Sequence, residues 1–137
     1  MNELFAGTGV ALVTPFSLNK EVDFDALERI IKFVNLPEIN YLSIVGTTAE
    51  SPTLSWNEKI EILEFVKEKA KNQPILFGLG GNDTAQLIKE IKYINKYNID
   101  GVLSVTPYYN RPSQTGLIAH YRQVADSSDH PIILYNV

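Results

Sequence analysis

Short apolar runs in this chain alternate with longer stretches in which apolar residues recur every three or four positions, and this alternation restricts the fold more than any other feature. The runs are Val10-Ala11-Leu12-Val13, Tyr41 to Val45, Ile75-Leu76-Phe77, Gly101 to Val105 and Pro131 to Tyr135. Each reads as a strand, and the first, which does not alternate polar with apolar residues, as one buried on both faces. Between them, Phe24, Leu27, Ile30, Ile31 and Val34 mark one helical stripe and Ile60, Leu63, Val66 and Ala70 a second. Leu87, Ile88, Ile91 and Ile94 mark a third, and Leu117, Tyr121 and Val124 a fourth. Strand and helix alternating at roughly 30 residues is the spacing of right-handed βαβ units, so the class is α/β with a parallel sheet. A (β/α)8 barrel and an open doubly wound sheet both satisfy it.

Local signals agree with these boundaries. Asp23 or Asp25 can cap the first helix, and Pro37 lies beyond its end. Ser55-Trp56-Asn57-Glu58 has the capping-box spacing, in which hydroxyl and carboxylate satisfy free N–H groups reciprocally. Asn82 or Asp83 can cap the third helix and Ser113 the fourth.

With 137 residues, 45% of them hydrophobic, the chain suits one domain, 1–137, with an ordinary core. Its formal net charge is −4 and its basic residues are scattered among acidic ones, which argues against a nucleic-acid partner. Cysteine is absent, so a disulfide scaffold, a thiolate metal site and a cysteine nucleophile are excluded. No apolar run approaches the roughly 18 residues of a spanning helix, and Met1-Asn2-Glu3-Leu4-Phe5 lacks a leader pattern. The expectation is a cytoplasmic protein without a membrane partner.

Polar, glycine and aromatic residues gather where the strands end, which is the functional face of either architecture. Gly46-Thr47-Thr48-Ala49-Glu50-Ser51-Pro52-Thr53 follows the second strand. Thr47 and Thr48 can hold a carboxylate or phosphate, because successive N–H groups in a tight turn form an anion-binding concavity. On this stretch alone, a Ser/Thr-rich turn leading to a helix cap fits equally well. Tyr108 and Tyr109 follow the fourth strand and Tyr135 ends the fifth. A tyrosine hydroxyl donates and accepts, so it can relay a proton beside a threonine. Each tyrosine taken singly reads as aromatic filler; taken together, and with the threonine pair, they read as one site.

Other candidates are weaker. Gly78-Leu79-Gly80-Gly81 lacks the dinucleotide or P-loop spacing and reads as a tight turn. Arg111 fits an anion contact or a structural one. His120 falls mid-helix, and His130 precedes a strand on the opposite face. Glu50, the one acid on the rim, reads as holding the loop or a neighbouring subunit. No acidic cluster has metal-ligand spacing. Lys20 lies in a loop, and Lys32, Lys59, Lys67, Lys69, Lys71, Lys89, Lys92 and Lys96 lie on helices or at their ends. A Schiff base needs a desolvated amine in the site, and none of these offers it.

Gly9 to Phe16, Gly46 to Leu54, Val105-Thr106-Pro107-Tyr108-Tyr109-Asn110-Arg111-Pro112-Ser113-Gln114 and Ile133 to Val137 together resemble the dihydrodipicolinate synthases, now called 4-hydroxy-tetrahydrodipicolinate synthases. The likeness runs in order from near residue 5 to the last. N-acetylneuraminate lyase and other pyruvate-dependent class I aldolases share the architecture, but the threonine pair and the tyrosine loop favour the synthase.

The resemblance implies a partial (β/α)8 barrel, about four βα units plus a fifth strand. It implies the N-terminal portion of a lyase that condenses pyruvate with aspartate semialdehyde through a Schiff base in lysine (diaminopimelate) biosynthesis, using no metal or organic cofactor. It makes Thr47 and Tyr135 relay residues, with Tyr109 as the third member offered across a tight dimer, in a family that forms tetramers. Thr48 and the adjoining backbone, with Thr47, would hold the pyruvate carboxylate. The family's Schiff-base lysine and substrate arginine would fall beyond Val137, so these 137 residues alone are expected to be inactive. Ser51, Asn82 and Tyr108 match a lysine-feedback pocket, although Trp56, Lys59 and Gln86 stand where inhibited bacterial members often carry His, His and Glu. Ala49 stands where many members have glycine. Three other readings remain: a self-associating, noncatalytic half-barrel scaffold, a carboxylate-binding module, and an open flavodoxin-like sheet.

Overall fold

A computed structural model of the protein describes residues 3–70 and 73–136. Met1, Asn2, Lys71 and Val137, named above, lie outside the described residues. The chain divides into two compact units, the first ending at Phe77 and the second beginning at Gly78.

The first unit contains β1 (Thr8–Ala11), α1 (Phe24–Val34), β2 (Ile39–Ile44), α2 (Trp56–Lys69) and β3 (Ile75–Gly78), at whose end it closes. β2 pairs in parallel with both β1 and β3; Val10 lies opposite Leu42, and Leu42 opposite Ile75. Leu42, Ser43, Ile44 and Val45 are all buried, as a central parallel strand with covered faces requires. β1 departs from expectation in place and in burial. It begins at Thr8, and Thr8, Gly9 and Ala11 are exposed. Pairing decides its start: the register with β2 begins at Thr8 opposite Ile39, ahead of the apolar run. The ladder extends past Ala11 to buried Leu12, whose N–H donates to the Ser43 carbonyl at 2.9 Å. At Gly9 the Tyr41 ring fills the space a side chain would take, and Phe5 meets that ring edge-on at 5.3 Å. The strand is therefore covered in part by an aromatic from its neighbour, which a run of apolar letters does not reveal.

Asp23 caps α1, its carboxylate accepting from the Ala26 N–H at 2.8 Å. The α2 capping box forms as predicted. Ser55 Oγ accepts from the Glu58 N–H, and Glu58 accepts from the Ser55 N–H at 2.7 Å. These bonds favour the charged carboxylate and hold Glu58 below its usual pKa. Leu27 and Ile31 of α1 and Leu63 and Val66 of α2 are fully buried, each contributing on the order of 1.5–3 kcal/mol. Phe24 and Phe65 close one side of this packing at 5.0 Å.

The second unit contains α3 (Thr84–Ile94), β4 (Gly101–Val105), α4 (Gln114–Asp126) and β5 (Ile132–Tyr135). β4 and β5 are parallel, with Val102 opposite Ile132 and Val105 opposite Tyr135. Leu79, just past β3, donates to the Leu103 carbonyl of β4 at 2.9 Å. Leu87, Ile91 and Ile94 of α3, Val102 of β4 and Val124 of α4 form its core. At Gly80 a Cβ would come within 2.8 Å of the Val105 backbone nitrogen and 2.7 Å of its side chain, so only glycine fits without movement. Asp83, not Asn82, caps α3, accepting from the Ala85 and Gln86 N–H groups. Ser113 caps α4 through the Gly116 N–H. Among the described residues, five strands and four α-helices, with β1–β2, β2–β3 and β4–β5 each paired in parallel, give the α/β class expected, four βα units followed by a fifth strand.

Candidate functional site

In the first unit the threonine loop leaves β2 through Val45, a buried β-branched residue at φ +55°. That backbone region costs a non-glycine residue on the order of 1–2 kcal/mol, and it persists only where the surroundings impose it. The imposing contacts are visible. Ala49 and Ser51 donate N–H groups to the Gly46 carbonyl at 3.2 and 3.3 Å, and Glu50 to Thr47 at 3.0 Å. From below, the buried Thr14 hydroxyl donates to the Ala49 carbonyl at 2.9 Å. Glu50 takes a left-handed conformation and leads into a 3-10 turn, Ser51–Thr53, where Ser51 is half-buried.

This folding leaves Thr47 and Thr48 exposed, with neither N–H nor hydroxyl bonded among the described residues. Two successive backbone donors and two hydroxyls are thus presented to solvent on a loop fixed from beneath, an arrangement able to receive a carboxylate. Ala49 is buried and does not adopt positive φ, so the position makes no demand for glycine.

The loop after β4 lies in the second unit. Tyr109 sits at φ +67° and is 92% exposed, and Tyr108 is partly exposed. Asn82 and Tyr108 are brought together, the Asn82 side-chain amide donating to the Tyr108 carbonyl at 3.3 Å. Tyr135 is half-buried, and its carbonyl accepts from the Thr106 N–H at 3.0 Å, which ties the end of β5 to the start of the tyrosine loop. Arg111 is exposed. The glycine run makes the close approach described at Gly80, and the Asp83 carboxylate occupies the N-terminus of α3 itself. The tight-turn reading therefore holds over the phosphate one.

None of the described lysines is buried. Lys32 and Lys69 pair with Glu28, and Lys69 also with Glu68 at 2.9 Å. The Lys69 ammonium is held above its ordinary pKa by these carboxylates, Glu68 foremost, the reverse of what an amine nucleophile needs. Lys96 lies over the Tyr93 ring at 3.6 Å.

Sequence reasoning set aside a buried polar group in this unit. His120 is only 4% exposed, and its Nδ1 lies 2.8 Å from the Thr84 hydroxyl. Burial pushes its pKa below the ordinary value. Tyr121 donates to the Ser104 carbonyl at 3.0 Å, and burial raises its phenol pKa. The available signal was His120 standing four residues before Val124, on the apolar stripe of α4.

The sequence profile of the dihydrodipicolinate synthetase family matches residues 4–137. The 4-hydroxy-tetrahydrodipicolinate synthase of Flavobacterium psychrophilum is 46% identical over 136 residues, which cover 98% of this chain and 46% of that protein. The solved synthase of Methylacidiphilum fumariolicum is 44% identical, covers 96% of this chain and 44% of its own, and superposes with a TM-score of 0.89. The chloride-inhibited synthase of Acinetobacter baumannii, solved in complex with pyruvate, is 39% identical over 96% of this chain and 45% of its own, with a TM-score of 0.91. The chain thus spans just under half the length of the relatives it matches, and its fold is that of a partial (β/α)8 barrel.

Proposed function

Because the chain belongs to the dihydrodipicolinate synthetase family, we propose that it supplies the N-terminal part of a lyase condensing pyruvate with aspartate semialdehyde in lysine (diaminopimelate) biosynthesis. The observation that carries this reading is identity of 44–46% to named synthases along 96–98% of the chain. Thr47 and Thr48 receive the pyruvate carboxylate with the unbonded N–H and hydroxyl donors of their loop. Thr47, Tyr109 and Tyr135 move protons between substrate and solvent, the work for which hydroxyls that both donate and accept are suited. Tyr109, with an exposed ring on a left-handed backbone, is offered to the site of a partner subunit in a homo-oligomer. Ser51, Asn82 and Tyr108 are the residues proposed to sense lysine. A cytoplasmic location goes with this reading; among the described residues no helix is long and apolar enough to cross a membrane.

The Schiff-base amine is not among the described lysines, which are exposed or partly exposed and in part ion-paired. Residues 1–137 by themselves should therefore form no imine. Borohydride reduction with pyruvate, followed by mass spectrometry, should leave the 137-residue chain unmodified and label the full-length protein once. A stoichiometric adduct on a lysine named here would overturn the assignment. Absence of turnover in the full-length protein with both substrates would do the same.

A further inference from the structure

We propose that His120 is a positioning residue, which through Thr84 and Asn82 fixes the loop that carries Tyr109. Its weight for the reaction rests on the proposed relay role of Tyr109. The connection lies wholly within the second unit. His120 Nδ1 meets the hydroxyl of Thr84, the first residue of α3, at 2.8 Å. Asp83 locks that turn by accepting from Ala85 and Gln86. Asn82, two residues before Thr84, reaches the Tyr108 carbonyl, and Tyr109 follows in a left-handed conformation that its own exposed side chain does not enforce. The N-terminal turn of α3 thus ties a buried imidazole to the backbone of the tyrosine loop.

The link requires a neutral ring. His120 Nε2 is buried without a partner among the described residues. In the tautomer with hydrogen on Nδ1, the ring donates to Thr84 and leaves only a lone pair unmatched, whereas protonation would bury an unpaired N–H. It would also set a cation against the positive end of α3. Among the described residues no carboxylate pairs with the ring. Tyr121 packs edge-on from the ring's own helix at 5.1 Å, its hydroxyl donating to the Ser104 carbonyl of β4, and Asp83 on the α3 side is committed to the cap. To be hydrated, an imidazolium would have to turn away from Thr84, and Asn82, which precedes the Asp83 cap, would lose that support while the cap itself stays in place.

Heteronuclear NMR of the full-length protein tests this by following the histidine rings and the amides of Tyr108, Tyr109 and Asn110 as pH falls. The amides should move with the His120 midpoint. His120→Asn, whose amide replaces Nδ1 without titrating, should keep the loop resonances near wild type and abolish their pH response. Thr84→Val should raise amide exchange in the loop about fivefold at neutral pH, the scale of one neutral hydrogen bond. Amides indifferent to the His120 titration, or an unchanged pH response in His120→Asn, would overturn the proposal. The synthase reading is scored separately. If the loop follows His120 while kcat does not, the positioning stands and the relay role of Tyr109 falls.

Discussion

Gly80→Ala should be among the most damaging small substitutions in the chain. The added methyl meets the Val105 backbone, which cannot rotate aside as a side-chain end can. Overpacking of this kind costs on the order of 1–3 kcal/mol, and a denaturant midpoint measures it. His120 gives a pH signature at the same scale. Its pKa is lowered in the fold, so the unfolded chain binds the additional proton. Stability from this group is complete above the ordinary value of 6.5 and is lost as pH falls below it. His120→Asn should flatten the melting temperature measured between about pH 7 and 5. Thr47, Thr48, Tyr109 and Tyr135 were visible as residue types at strand ends. The strained backbone at Val45 was not, because β-branched residues avoid left-handed φ and the loop's own bonds, with that from Thr14, hold it there. Nothing local marks His120 beyond its place mid-helix, because its partner, Thr84, lies 36 positions away.

Among the elements, α2 depends most on a local device. Ser55→Ala removes the hydroxyl half of the capping box and should cost about 1 kcal/mol in thermal or chemical unfolding. Glu58 adds an acid limb. Its pKa is lowered by Ser55, so this contribution is present above the ordinary value of 4.5 and is lost as pH falls through its folded value. Helix boundaries could be read closely because caps and stripes are local: Asp23, Ser55 and Ser113 begin their helices as their letters suggest. At α3 two adjacent candidates were equivalent, and Asp83 won by accepting from two N–H groups. β1 starts ahead of its apolar run because its register belongs to β2, a neighbour whose pairing no local pattern contains.

At the scale of the molecule, the alternation of strands and helices carried the class, while the family resemblance carried the choice of barrel over open sheet. The 137 residues alone leave apolar surface uncovered within each unit. Phe33 on α1 is largely exposed, as are Ile118 on α4 and Leu134 on β5, the last at 61%. Surface of this kind favours association. Sedimentation of the isolated chain should give a mass above the monomer, and a monodisperse monomer would argue against the self-associating reading.

Tyr109 has a further, practical meaning. A phenol that stands 92% clear of its own chain is the ring an electrophilic reagent such as a nitrating agent reaches first, ahead of Tyr93 and Tyr108, which are less than half exposed. The protein therefore carries its own footprinting label. If a partner subunit receives Tyr109 as proposed, protection of this residue in a peptide map would record the association.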